Sequence, residues 1–520
     1  MGIFASVIRP FSSRANTGSS GGLFGPIINP IARWLNAGTT RRDAWTRRGL
    51  VIAVMLVLMF SSFWLVPHYA FAADSNGADT IADNPNMAVN MAWTLITGFL
   101  VWFMQLGFAF LGAGLIRSKN NVNYWTKSFM DFCISSIGFW AFGFALMFGG
   151  SNLFSGLDQG NSIIGYSGFF LSGSSYDVST IMMWFFQMCF MATACTIVAG
   201  AVAERMKITG YLAYAFILGA IVYPIFGKWV WGGGWLSTLQ IMGVTGVKDF
   251  AGSGVVHMVG GLAAFIGAAM VGPRIGKFNK DGTPNAIKGH NLPFVVIGTF
   301  ILFFGWFGFN PGSTLAATDL RISVIAANTF LAGVTGAVVA LYWTFAKTGK
   351  MDIIMGCNGC LVGLVAITAP CAYVAPWASV VIGALAVPVM FFFSYLVERV
   401  FKVDDAVGAV PVHFGGGIFG LLCVGIFADG TYGGVEGLIT GHAGQLVLQL
   451  VDIAALVIWV GVTMTITFWL IKKTIGLRAS RKEELEGLDL PEHGIQAYPA
   501  DDVPAVAGVP GKAFYKADEM

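Results

Sequence analysis

The fold class that the sequence predicts is an all-α polytopic membrane protein: eleven transmembrane helices, built as an inverted five-plus-five repeat with one final helix left over. Three observations predict it. Hydrophobic side chains make up 56% of the 520 residues and charged ones 11%, outside the usage of soluble globular domains. Apolar stretches of roughly 20 residues, the length that crosses a bilayer as a helix, recur along the chain. Closed barrels would show weaker ten-residue segments of alternating polarity instead. Finally, one motif occurs twice, an odd number of spans apart.

In chain order, residues 1–48 hold seven arginines and a single acid, Asp43, and are followed by the apolar run Gly49–Val66 and by Ala70-Phe71-Ala72-Ala73. This resembles a signal peptide with a long basic leader, cleaved after Ala72. Residues 1–72 are therefore assigned to the leader, 73–90 to an extracytoplasmic N-terminus, 91–472 to the transmembrane domain and 473–520 to a cytoplasmic tail. Cleavage predicts a mature chain starting near Ala73. Intact-mass measurement on membrane-purified protein should find Arg41–Arg48 gone; finding them attached refutes cleavage and leaves Gly49–Val66 as an extra helix.

The spans fall at about 91–115, 129–149, 179–203, 209–229, 250–271, 293–313, 324–346, 354–375, 378–400, 406–428 and 447–471. Basic residues gather after alternate spans: Arg117 and Lys119, then Arg205 and Lys207, Arg274 to Lys288, Lys347 and Lys350, Arg399 and Lys402, and Lys472 to Lys482. Positive charge favours the cytoplasmic side, so the bundle starts outside and its tail ends inside a cell membrane. The sixty-eight glycines predict close helix packing, because no hydrophobic drive joins helices in lipid and small residues let backbones approach. The seven cysteines all fall in or near spans and suggest no disulfide framework; Cys357-Asn-Gly-Cys360 reads as small residues in a packed helix. The net charge of +3 carries no information about a partner, and no nucleic acid is expected.

The repeated motif is DFAGSGVVHMVGG at 249–261 and DAVGAVPVHFGGG at 405–417, sharing Asp249/Asp405, Gly252/Gly408, Val256/Val412, His257/His413 and two later glycines. The first copy opens a span running inward and the second a span running outward. Inverted repeats place a functional site near the midplane between the halves. Eight residues at a helical rise put each histidine about 12 Å in from its own surface, so His257 and His413 are expected to meet. Ionisable groups at that depth mark substrate paths, and burial beside a like group favours neutral rings able to pass hydrogen bonds. Asp249 and Asp405 read first as helix caps, and Asp249 also as a charge favouring a cation near the outer mouth. Trp231, beside a glycine run, and Ser313, after an Asn-Pro-Gly break, offer cation–π attraction and a hydroxyl acceptor.

These stretches, with FFQMCFMATACTIVAGAVAERMK, GWFGFNPGS, NGCLVGLVAITA and the tail LRASRKEELEGLDLPEHGIQAY, resemble the ammonium transporter (Amt/Mep/Rh) family on its Amt side, from about Met91 to Tyr498. The resemblance implies an ammonium transporter or channel, not an enzyme, with no cofactor or metal. It implies substrate binding at Trp231, Ser313, Phe190 and Asp249, a gate of stacked rings at Phe190 and Phe309, and a pore lined by the pair His257 and His413. It further implies a homotrimer in the lipid bilayer and possible contact of the tail with a PII-type regulatory protein. Two departures stand out. The connection 236–248 is longer than in the shortest family members, and Pro491 stands where plant relatives carry a phosphorylatable threonine. A sensor of the same family with little net transport is the alternative; the tail's end at Met520 without a kinase-sized segment favours transport. A metalloenzyme built on the two histidines would have a poor ligand set.

Overall fold

The computed structural model describes residues 74–498, Ser75 and Ser155 excepted; the leader and its cleavage site lie outside the described residues. Among the described residues, ten helices are long and apolar enough to cross a membrane. They are α1 Met87–Leu115, α2 Ser118–Phe148, α3 Val178–Val202, α4 Ile208–Thr238, α5 Ser253–Val271, α6 Leu292–Thr314, α7 Ile322–Thr348, α9 Pro376–Val400, α10 Val410–Phe427 and α11 Gly444–Thr474, with the shorter apolar helix α8 Ile353–Thr368 between α7 and α9.

The eleven expected spans thus appear as ten plus one short helix. The sequence reading carried span eight to residue 375, but α8 stops at Thr368 for a visible reason. Pro370 has no N–H to continue the ladder and disfavours helix at the residue before it. The freed backbone is stitched to the stretch after Asp249: Phe250 N donates to Ala369 O and Ala251 N to Thr368 O. Ser253 Oγ donates to Val365 O at 2.7 Å and accepts from Ala369 N at 2.7 Å.

Local chemistry sets the other starts. Asp177 caps α3 by accepting from Ser179 N and Thr180 N, Asn291 caps α6 with Pro293 in the first turn, and Asp352 caps α8. The connection 236–248 folds into a small hairpin, β1 Gln240–Ile241 with β2 Val244–Thr245.

Helices α3 and α5 form the centre: 83% and 78% of their apolar windows are buried, against 28% for α11, which lies at the rim. Glycines decide how closely the central elements meet. A methyl group added at Gly261 would collide with the backbone N of Phe414, and one at Gly417 would fall 2.5 Å from Ser253 O. Larger residues there would push the two histidine-bearing stretches apart.

The face that carries the tail is tied by buried charge. Arg274 makes a two-pronged bond to Asp404 at 2.8 and 2.9 Å and reaches Glu204 at 3.4 Å, while Arg117 also pairs with Glu204. Arg205 donates to the carbonyls of Ala201, Gly272 and Asp404. Burial pushes the Asp404 carboxyl up, but the bonds from Arg274 and the charges of Arg205 and Arg274 outweigh it and hold it well below the usual range. Arg205 and Arg274, read from sequence as loop charges, are therefore buried structural groups. The tail docks on this face: Glu484 accepts from Arg478 and from Ile275 N, Asp489 accepts from Asn123 N, and Asn120 accepts from Leu488 N. Pro491 lies in the short helix Asp489–His493.

Candidate functional site

The two copies of the repeated motif fold alike. Asp249 accepts from Gly252 N, Gly254 N and Val255 N, each at 2.9 Å; Gly252 then takes a left-handed turn (φ 110) and Ser253–Met258 opens α5 as a π-helical turn. Asp405 accepts from Val407 N, Gly408 N and Val410 N, Gly408 is left-handed (φ 84), and Val410–Gly415 opens α10 as a second π-helical turn. Left-handed backbone at the third residue after each acid explains why glycine stands there twice. The histidine depths were read along α-helices starting at the aspartates. The helices in fact start at Ser253 and Val410, wound wider, and π turns of this kind collect at functional sites.

His257 and His413 meet, with Nδ1 to Nδ1 at 3.2 Å and ring centroids 5.2 Å apart. A hydrogen bond between like nitrogens requires one N–H and one lone pair. With both rings neutral, one Nε2 is then an acceptor and the other a donor, and the two rings cannot both be imidazolium in this arrangement. The Nε2 of His257 is buried and has no hydrogen-bond partner among the described residues.

Above His257 the rings continue in a column. Phe309 stacks on His257 at 5.2 Å, Phe190 lies 4.2 Å from Phe309 at 30°, and Phe186 lies 4.7 Å from Phe190. The Phe190 and Phe309 rings, expected to stack, are both fully enclosed. On the far side of Phe190 a cavity of about 170 Å³ is lined by Phe186, Gln187, Phe190, Trp231, Phe250 and Ser313 among others. Below the pair, His413 lines a smaller cavity of about 20 Å³ with Phe108, Tyr124, Thr196 and Asn358.

The cavity wall suits a small cation. Trp231 Nε1 donates to Asp249 O at 2.7 Å, which fixes the indole edge-on to Phe190 at 6.2 Å. Ser313 Oγ donates its proton to Phe309 O at 2.7 Å, so its lone pairs are left for accepting. Gln187 is buried, and its Oε1 has no hydrogen-bond partner among the described residues. Asp249 differs from the other expected binding residues: its carboxyl is turned onto its own backbone and does not line the cavity, so only its carbonyl, through Trp231, reaches the wall.

Four residues of the site were missed from sequence: Phe186, Gln187, Phe250 and Trp306. Trp306 stacks on His257 at 5.2 Å and is held by its Nε1 bond to Thr368 Oγ1 at 2.9 Å. The signal was spacing: Trp306 and Gln187 each precede a chosen phenylalanine by three residues and so share its helical face. Among the described residues, no group of three or more His, Cys, Asp or Glu side chains is placed to hold a metal ion.

Residues 92–498 match the model of the Ammonium Transporter Family. The chain is 49% identical to ammonium transporter Amt2 of Archaeoglobus fulgidus over 461 residues, 86% of this chain and 95% of that one. It is 39% identical to ammonium transporter 1 member 3 of Solanum lycopersicum, covering 82% and 96% of the two. Among solved structures it resembles the Sensor Amt Protein (35% identity, TM-score 0.72, 79% of this chain and all of that one) and Mep2 of Candida albicans (29%, TM-score 0.68, 81% and 92%). A multi-pass membrane protein by its apolar helices, the chain belongs to the ammonium transporter family.

Proposed function

We propose that the protein conducts ammonium across the cell membrane by holding the ion at Trp231, Ser313 and Phe190, taking a proton from it, and passing ammonia between Phe190 and Phe309 to His257 and His413. The observation that carries this reading is the ring column: the cation-suited cavity adjoins the histidine pair through two stacked phenylalanines. An ion carried whole past those rings would be costly, about 3 kcal/mol or more for a charged group at the bilayer centre, whereas ammonia is small and neutral. The indole face attracts a cation by about 0.5–2 kcal/mol, and hydrogen-bond donation to Ser313 and Gln187 distinguishes ammonium from potassium, which has no protons to donate. One acceptor and one donor Nε2 give ammonia a partner of each kind.

The same reading takes the short α8 as an eleventh span and the twice-folded motif as the mark of an inverted five-plus-five repeat. It sets the tail face in the cytoplasm, where a PII-type protein can reach it, and assembles the chain as a homotrimer with one pore per subunit. Asp249 acts as the support that places Trp231 and α5, with its charge near the cavity.

Reconstituted vesicles supply the test. The wild-type protein should carry methylammonium down its gradient. His257→Ala and His413→Ala should each change flux or ammonium-over-potassium selectivity by about tenfold, roughly the worth of one hydrogen bond, with the protein folded. Wild-type flux and selectivity in both variants would remove the histidines from the pore. The likeness to the Sensor Amt Protein favours a second reading, ammonium sensing with little transport; methylammonium binding without flux would select it.

A further inference from the structure

Lys228 stands in the last turn of Tyr223–Val230, a helical stretch of α4, three residues before Trp231, and is buried. A buried cation is costly unless its protons find acceptors. Two backbone carbonyls supply them: Nζ donates to Gly149 O at 2.7 Å and to Gly232 O at 2.6 Å. The two acceptors belong to different helices. Gly149 follows Phe148, the last residue of α2, and Gly232 follows Trp231, the residue that caps Tyr223–Val230. Carbonyls at a helix C-terminus lack intrahelical partners and carry the negative end of the macrodipole. Two such ends meet here, and one ammonium group satisfies both.

The place matters because Phe148 and Trp231 both line the cavity on the far side of Phe190. Lys228 therefore fixes the main chain directly after two lining side chains on two helices. The segments are packed closely: a methyl group added at Gly232 would collide with the carbonyl of Met147, and one at Gly227 would fall 2.5 Å from Met147 Cε. Beyond Lys228 the turn is closed by Trp231 N donating to Gly227 O at 2.7 Å and Gly234 N donating to Lys228 O at 2.8 Å. The indole is thus held at both ends. Its ring is anchored through Nε1 on Asp249 O, and its backbone through the next carbonyl on Lys228.

We propose that Lys228 is a positioning residue of the cation site: by bridging the ends of α2 and Tyr223–Val230 it sets the spacing of the Phe148 and Trp231 walls and the angle at which the indole face meets the cation. The inference rests on the ammonium reading, which puts a cation in that cavity. It carries a sign that separates it from plain electrostatics. Removing a positive charge from the neighbourhood of a cation site would by itself tighten binding. Loss of the bridge instead frees the wall and weakens binding, by about tenfold at most if the whole attraction of the indole face is forfeited.

The test is calorimetric titration of methylammonium into purified full-length protein for wild type, Lys228→Met, Trp231→Leu and the double variant, with thermal unfolding of each. Lys228→Met keeps the unbranched stem and removes the ammonium group. It should bind several-fold to about tenfold more weakly than wild type while folded, and the same change made in the Trp231→Leu background should weaken binding no further. A purely structural lysine would lower the melting temperature and leave the affinity of the folded protein alone. Unchanged or tighter binding in folded Lys228→Met overturns the inference, as does a loss that persists in full when Trp231 is already gone. Should Lys228→Met fail to fold, Lys228→Gln, which keeps one donor group on a shorter stem, decides: a smaller weakening that vanishes in the Trp231→Leu background supports the inference, and wild-type affinity overturns it. Wild-type affinity in Trp231→Leu, or no binding by wild type, sinks the ammonium site and this inference with it; weakened binding in Trp231→Leu beside normal binding in Lys228→Met sinks this inference alone.

Discussion

Asp249→Ala is expected to abolish methylammonium uptake, a fall of at least about a hundredfold, and to lower the yield and melting temperature of the folded protein. The carboxyl is the acceptor for three buried backbone N–H groups, at Gly252, Gly254 and Val255. A buried donor left without a partner costs about 1–3 kcal/mol, so losing all three costs on the order of 5 kcal/mol, comparable to the whole stability margin of many domains. The damage would not stay local. The turn at Gly252 sets where His257 enters the bundle, and the carbonyl of residue 249 anchors the Trp231 indole. Asn at this position separates charge from capping only partly, because it replaces one acceptor by an amide donor that would face backbone N–H groups. It should fold better than the alanine variant and still transport poorly. Uptake in vesicles, together with thermal unfolding of both variants, checks this; wild-type uptake and stability in Asp249→Ala would show that the carboxyl neither caps nor recruits.

The sequence made one half of this site legible and hid the other. The repeated Asp-to-His spacing identified His257 and His413 as partners, because a pattern that recurs at equivalent places in two halves constrains space as well as sequence. Apolar runs located the helices because bilayer thickness imposes a length. Neither signal reports where backbone geometry leaves the α-helix. The π turns at Ser253–Met258 and Val410–Gly415 depend on side-chain caps and glycine turns that only the fold brings together. Pro370 marks the early end of α8 in the sequence, but the groups that take up the freed backbone, Ser253 and Phe250, lie more than a hundred residues away in the chain. Trp306 was overlooked because an indole in an apolar span reads as packing until its stack on His257 is seen. Asp249 itself was read as both cap and binding group, and the fold shows its carboxyl capping the start of α5.

Phe309→Ala is expected to join the cavity to the histidines. Phe309 is enclosed between Phe190 at 4.2 Å and His257 at 5.2 Å, with Trp306 at 5.8 Å, so removing its ring takes out the layer that separates the proposed cation site from two imidazoles. Two consequences compete. As packing, a buried Phe→Ala change costs about 3–5 kcal/mol and should appear as lost folded protein. As a gate, the ring excludes water and ions from the step at which ammonia parts from its proton, and its loss should let water reach His257 and weaken rejection of other small cations about tenfold or more. The two are separable because Phe309→Leu restores much of the volume without a flat face for stacking on Phe190 and His257. A gate predicts a leucine variant that is folded but leaky to potassium in reconstituted vesicles; packing alone predicts one close to wild type in both respects. Normal flux and selectivity in a well-folded Phe309→Ala protein would end the gating role, since Phe309 is the ring that contacts both Phe190 and His257 in the column.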